Sequence, residues 1–244
     1  MKVLVIQTQA LVPIGSLGQP LLEAGLDLAY WHTDRGRAPG SLEDFAGVVA
    51  LGGAANPDQD DRYPWLAKER DVLSEAVRRR IPTIGLCLGA ELLGQVLDAR
   101  VNRLDRAEIG WHEVQFRRGG TDASVTAEFS DQSYVFQWHS YSFDLPAGGQ
   151  LVAGTPEKAE AFCWNGSAWA FQFHLEADAK IIGDWVAEYS RLLLDHGIAP
   201  DDVLAETADR SSAYVLQAHR FGRAFARLVH ARSRPSRSTD VGFE

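Results

Sequence analysis

The sequence predicts an α/β protein built on a largely parallel sheet, and three observations predict it. Short apolar runs alternate with amphipathic stretches in the N-terminal part, the middle changes to closely spaced strand-like runs with turns between them, and the C-terminal part is helical. Alternating strand and helix is the pattern of a parallel sheet joined by crossover helices, and the middle texture adds antiparallel strands to it.

Taken in order, residues 3–6 read as a first strand, 17–25 as a helix, 26–31 as a second strand and 47–51 as a third. The stretch 65–80 places Leu66, Val72, Leu73, Ala76 and Val77 near one helical face and leads into the apolar run Ile81-Pro82-Thr83-Ile84. A helical pattern follows over 90–97. Residues 110–116, 134–138, 151–154, 159–164 and 168–173 read as short strands, with Asn165-Gly166 as a hairpin turn. Residues 178–195 present Ile181, Ile182, Trp185, Val186, Tyr189, Leu192 and Leu193 as one helix, and a last helix lies around 212–232. With no internal repeat or low-complexity linker, a single domain over 1–232 is expected, followed by a disordered tail at 233–244.

Composition narrows the function classes. A chain of 244 residues with 45% hydrophobic content can bury a substantial core. A net charge of −9 argues against a nucleic-acid surface, which needs clustered cations to release counterions. No window approaches the apolar length of a membrane span. With only two cysteines, Cys87 and Cys163, and a first strand in place of an apolar signal segment, a reducing cytoplasm is the expected compartment. The basic stretch 232–237 reads as a solvated end, its other reading being contact with an acidic partner.

Cys87 carries the chemistry. It sits at the centre of Gly85-Leu86-Cys87-Leu88-Gly89, where a strand runs into a helix, the elbow geometry that presents a nucleophile over the sheet edge while small neighbours leave room for it. The matching base is His174, at the end of the run 168–173, with Glu176 two residues on. Because strand side chains alternate, both point the same way, Leu175 turns to the other side, and Glu176 reaches and orients the imidazole. A carboxylate-held histidine stabilises its own imidazolium and makes a thiolate available, giving a Cys-His-Glu triad. The loop Leu51-Gly52-Gly53-Ala54 offers backbone N–H groups for an oxyanion, with the Leu88 N–H as second donor; read alone it is also an ordinary turn between strand and helix.

Other suggestive residues read as structural. Cys163 lies in an apolar strand and His139 in a Trp/Tyr-rich one, while His112-Glu113 lacks the second histidine of a helical metal motif. The seven tryptophans read as core and loop packing, and His196, His219 and His230 have no visible partners.

Gly-Leu-Cys-Leu-Gly-Ala-Glu-Leu-Leu from Gly85, then Phe-Gln-Phe-His-Leu-Glu from Phe171, with the Leu-Gly-Gly loop upstream, closely resembles the class I glutamine amidotransferases. The stand-alone group similar to the amidotransferase half of GMP synthase fits in particular, since 60–66, 108–113 and 137–146 agree as well, and the resemblance runs from residue 1 to about 193. It implies a flavodoxin-like mixed central sheet with helices on both faces, here with an added C-terminal helix. It implies Cys87 as nucleophile, His174 as acid and base, Glu176 as its partner, and Gly53 with Leu88 as oxyanion donors. Substrate contacts carry over to Gly52, Glu91, Ser140 and Tyr141, and neither cofactor nor metal is needed.

Two positions depart from the pattern. Leu175 stands where the family usually has Pro, a mild change for a side chain facing away. Glu91 stands where Gln is usual, one helical turn after the nucleophile and on its face. An ionised carboxylate only accepts hydrogen bonds and would repel a substrate carboxylate, although it could hold an ammonium. γ-Glutamyl hydrolases of the same superfamily resemble this chain in having Glu after such an elbow. Three functions are therefore expected to compete: a glutaminase subunit that passes ammonia to a separate synthetase, a free-standing γ-glutamyl peptide hydrolase, and a non-catalytic regulatory relative. The chain has no room for an ATP-binding synthetase domain and lacks the Gly-x-x-x-x-Gly-Lys loop.

Overall fold

Strand β1 (Lys2–Gln7) shows why the centre of the molecule is a sheet covered on both sides. Val3 and Val5 enter one apolar cluster, Leu4 and Ile6 the other, so residues 3–6 are buried on both faces and read as a continuous apolar run. The computed structural model describes residues 1–117 and 129–233, and among these nine strands form one sheet. The others are β2 (Asp27–His32), β3 (Phe45–Ala50), β4 (Thr83–Leu86), β5 (Val101–Gln115), β6 (Gln132–Phe143), β7 (Gly149–Thr155), β8 (Lys158–Trp164) and β9 (Ala168–Phe171). Their order is β2-β1-β3-β4-β9-β8-β6-β5, with β7 paired to β8. The pairs from β2 through β9 are parallel; β8–β9, β7–β8, β6–β8 and β5–β6 are antiparallel.

Helices close both faces. On one lie α1 (Gly18–Glu23), α4 (Ala179–Glu188) and the 33-residue α6 (Pro200–Arg232), which contribute Leu21, Ile182, Phe221 and Phe225 to one cluster. On the other lie α2 (Trp65–Arg78) and α3 (Leu88–Val96), which bring Leu66, Leu73, Leu88 and Leu92 to the second. The short α5 (Ser190–Asp195) precedes α6. No helix among the described residues is long and apolar enough to cross a membrane.

Several expectations need correction. The stretch 178–195 is two helices, because Tyr189 leaves helical geometry at φ −106° and ψ 23°. The last helix starts at Pro200, twelve residues before the expected start: its first turns bury Val203, Thr207 and Ser211, and polar or small residues on the inner face hide the apolar period. Strand β5 begins at Val101 and not at 110, since its charged first half gains its pairing from β6. His230, which the sequence left without a partner, lies with Nε2 2.9 Å from the Ala24 carbonyl. Of the expected tail, residues from 234 onward lie outside the described residues.

One buried charge stands out. Glu69 on α2 is fully buried, neither carboxyl oxygen has a hydrogen-bond partner among the described residues, and burial pushes its pKa up to about 8 against the attraction of Arg70. The folded state therefore keeps a proton that the unfolded chain releases, so stability falls as pH rises from about 4.5 to about 8. Glu69→Met removes this dependence. Its gain over the wild type should grow across that window to about 3–5 kcal/mol and then level off. Urea midpoints of both proteins at acidic and alkaline pH measure it, and an equal gain at both ends would disprove the buried-acid account.

Candidate active site

The carboxyl ends of β1, β3, β4 and β9 lie side by side in the parallel part of the sheet, and the segments that leave them converge on Cys87. Ligands of open α/β sheets gather at this edge. Cys87 joins β4 to α3 with φ 48° and ψ −112°, a conformation an L-residue adopts only when its surroundings enforce it. The Cys87 N–H donates to the Phe171 carbonyl at 2.9 Å, and the Cys87 carbonyl accepts from the Glu91 N–H at 2.9 Å, which locks the elbow to β9 on one side and to the first turn of α3 on the other. The flanking glycines are required by contact: a Cβ on Gly85 would lie 2.6 Å from the Gly89 carbonyl oxygen, and one on Gly89 would overlap the Ala50 carbonyl.

His174 and Glu176 meet as expected but for a different reason. Strand β9 ends at Phe171, so the two residues lie beyond it in a turn, where the Ala177 N–H donates to the His174 carbonyl. The turn, not strand alternation, brings Glu176 Oε1 to 2.7 Å from His174 Nδ1. Leu175 faces the apolar core as expected and is fully buried. His174 Nε2 lies 3.4 Å from the Trp138 carbonyl, and the Cys87 thiol lies 3.7 Å from that same oxygen.

Nδ1 of His174 faces the Glu176 carboxylate and Nε2 the Trp138 carbonyl, surroundings that favour the imidazolium. Burial alone would lower the ring's pKa, but the charges of Glu176 and of ionised Cys87, with their hydrogen bonds, hold it well above the usual value. Burial pushes the Cys87 thiol up, and the neighbouring His174 pulls it back, so ionisation of the thiol depends on that ring.

Gly52 and Gly53 form the floor. A Cβ on Gly52 would sit 3.0 Å from His174 Cε1 and 3.3 Å from Cys87 Cβ, so any larger residue there would press the two side chains out of place. The Thr8 hydroxyl donates to the Gly52 carbonyl at 2.5 Å, and Gln9 Oε1 accepts from the Ala54 N–H at 3.2 Å. These contacts hold the loop with Gly53 lining the cleft beside Leu88, whose N–H belongs to the unpaired first turn of α3.

Glu91 lines the cleft but differs from its expected state. It is buried, its Oε1 accepts from Gln172 Nε2 at 2.9 Å, and burial raises its pKa to about 7 despite that bond and the charge of His174. Near neutral pH it is partly protonated, and a protonated carboxyl donates as well as accepts, as the usual Gln amide does. Ser140 and Tyr141 line the same cleft, but the Tyr141 carbonyl already takes the His139 Nδ1–H at 2.7 Å and the Tyr141 hydroxyl donates to Asp58 at 2.9 Å. His139 is buried, which takes its pKa down to about 4, and its other ring nitrogen lies 3.0 Å from Gln137 Oε1. Cys163 is buried in the core. Among the described residues no group of three or more His, Cys, Asp or Glu could hold a metal ion.

Thr8, Gln9, Asn56, Asp58 and Gln172 surround the site without having been singled out. Their signal was position, since Thr8, Gln9 and Asn56 follow strands β1 and β3 at the same sheet edge. The aromatic wall of Trp138, Trp185 and Tyr189 was read as packing, because its rings come from a strand and from the end of a distant helix.

Ionisation of Glu91 raises the Cys87 thiol further, so Glu91→Gln should shift thiol reactivity to lower pH. The difference should be small below about pH 6, where Glu91 is already protonated, and should open through about pH 7 to 8. Rates of alkylation by iodoacetamide across pH measure this directly, and superimposed profiles would exclude the coupling.

The family model for glutamine amidotransferase class-I matches residues 16–187. The glutamine amidotransferase-like protein YfeJ of Salmonella typhimurium is 24% identical over 180 residues, covering 71% of this chain and 74% of that protein. A glutamine-hydrolyzing GMP synthase of Lachnospira eligens is 29% identical over 133 residues, which is 53% of this chain but only 24% of the synthase. Among solved structures, a glutamine amidotransferase from Thermotoga maritima superposes with a TM-score of 0.84 at 28% identity, covering 93% of this chain and 98% of that one.

Proposed function

Because the chain belongs to the class I glutamine amidotransferase family, we propose that it hydrolyses a γ-glutamyl amide through a thioester on Cys87, with glutamine to glutamate and ammonia as the simplest case. The observation that carries this reading is the convergence of three side chains in one cleft: a thiol on a strained elbow, an imidazole beside it, and a carboxylate 2.7 Å from the ring's far nitrogen.

The Cys87 thiolate attacks the γ-carbonyl, and the developing oxyanion takes the N–H groups of Gly53 and Leu88. His174, held as imidazolium by Glu176, gives the Nε2 proton to the departing nitrogen as the C–N bond breaks. Water then attacks the thioester, His174 takes its proton, and the thiolate leaves. Gly52 keeps the floor clear, while Glu91 and the Ser140-Tyr141 segment receive the amino-acid end of the substrate. The domain extends over 1–232, and no step calls for a cofactor.

A separate synthetase subunit as ammonia acceptor fits this reading; the GMP synthase relative carries the glutamine-hydrolysing label on a much longer chain. Glu91 in place of the usual Gln supports a second reading, a γ-glutamyl peptide as substrate, because γ-glutamyl hydrolases of the same superfamily carry Glu after such an elbow. A regulatory, non-catalytic role is disfavoured by the intact set of Cys87, His174 and Glu176. Incubating the pure protein with glutamine and quantifying glutamate and ammonia tests the proposal; no release from glutamine or from any γ-glutamyl amide sinks it.

A further inference from the structure

We propose that the leaving-group side of the cleft is a subsite for an aromatic ring, so that the preferred substrate is a γ-glutamyl amide of an amine bearing an aromatic group. The inference rests on the assignment of Cys87 and His174 above and names the substrate class of that same site.

The position of the leaving group follows from proton transfer. The departing nitrogen must lie at His174 Nε2, so whatever it carries extends past the residues next to that atom. The Trp138 carbonyl lies 3.4 Å from Nε2, and the Trp185 ring packs edge-on against the His174 ring with centroids 4.7 Å apart. Trp138 packs against Trp185 and Tyr189, with ring centroids 6.0 Å apart in each pair. The Trp185 indole N–H donates to the Leu11 carbonyl at 2.6 Å, which fixes the ring's edge. Val12 and Leu192 complete the wall, and Leu192 is 41% exposed at its rim.

Such a wall offers ammonia nothing, since a small polar leaving group needs only a way out. It suits a flat apolar group, which would pack against the half-buried Trp138 and Tyr189, backed by the buried Trp185, and cover Leu192. It also discriminates against a γ-glutamyl peptide, whose terminal carboxylate would need a cation on this side: no Lys or Arg is among the described residues lining the cleft. The polar groups Gln9, Asn56, Glu91 and Ser140 remain for the glutamyl end.

The step balances without a further reactant. The amide C–N bond breaks as the Cys87 sulfur bonds to the γ-carbon, the His174 proton goes to the aromatic amine, and water restores thiolate and imidazolium as glutamate leaves.

The test compares kcat/KM of the pure protein for γ-glutamylbenzylamide, glutamine and γ-glutamylglycine. The benzylamide is expected to exceed both by about tenfold or more. In Tyr189→Ala and in Leu192→Ala the ratio of benzylamide to glutamine should fall by about fivefold or more. Hydrolysis of glutamine or γ-glutamylglycine at least as fast as of the benzylamide would overturn the aromatic subsite and leave the nucleophile assignment standing. A ratio that neither variant moves would overturn it as well. No hydrolysis of any of the three would overturn the assignment of Cys87, and the subsite with it.

Discussion

Cys87→Ser should lower amide hydrolysis by about 10⁴-fold or more while the protein remains folded. Burial already pushes the Cys87 thiol up, and the neighbouring imidazolium brings it within reach of ionisation. A hydroxyl starts many pKa units higher, so the same imidazolium cannot supply an alkoxide. The substitution is nearly isosteric, and the backbone holding the elbow, with the Cys87 N–H on the Phe171 carbonyl, does not involve the sulfur. Loss of turnover with an unchanged urea midpoint is the expected pair of results. Residual turnover within tenfold of wild type would mean that another residue is the nucleophile.

Gly89→Ala should cost about 3 kcal/mol or more of stability and disable the site as well. A Cβ at Gly89 would overlap the Ala50 carbonyl oxygen and lie 2.7 Å from its carbon, and both are backbone atoms of β3 that cannot rotate away. Helix α3 must back off the sheet, and its first residue follows Cys87, so the thiol moves with it. A misplacement of this kind costs on the order of 10²-fold in rate even where the fold survives. The control is Gly183→Ala on α4, where nothing lies within 4 Å of the new Cβ. There alanine should be neutral or stabilising by up to about 1 kcal/mol, through helix propensity. If the two variants lose the same stability, close approach of α3 to β3 is not what Gly89 provides.

The parallel half of the fold was legible because its causes are local. Residues 3–6 of β1 and Phe45–Ala50 are apolar on both faces and Trp65–Arg78 on one, and each period is written in its own residues. The elbow was legible for the same reason: the need for small residues on both sides of a strained Cys87 is satisfied within Gly85 to Gly89. The pairing of His174 with Glu176 was anticipated from an adjacent strand whose geometry does not hold, since β9 stops at Phe171. The start of α6 was hidden by the buried Thr207 and Ser211, whose inward position is set by packing against the sheet and not by hydrophobicity.

By itself the sequence determined the α/β alternation of the parallel half, the glycine-flanked elbow at Cys87 and the family to which the chain belongs. Only the tertiary structure decided the states of the groups around that elbow. The raised pKa values of Glu91 and His174 and the wall of Trp138, Trp185 and Tyr189 all depend on desolvation and on neighbours distant in the chain. Desolvation and charge coupling act through space, and residue order fixes those distances only once the chain has folded.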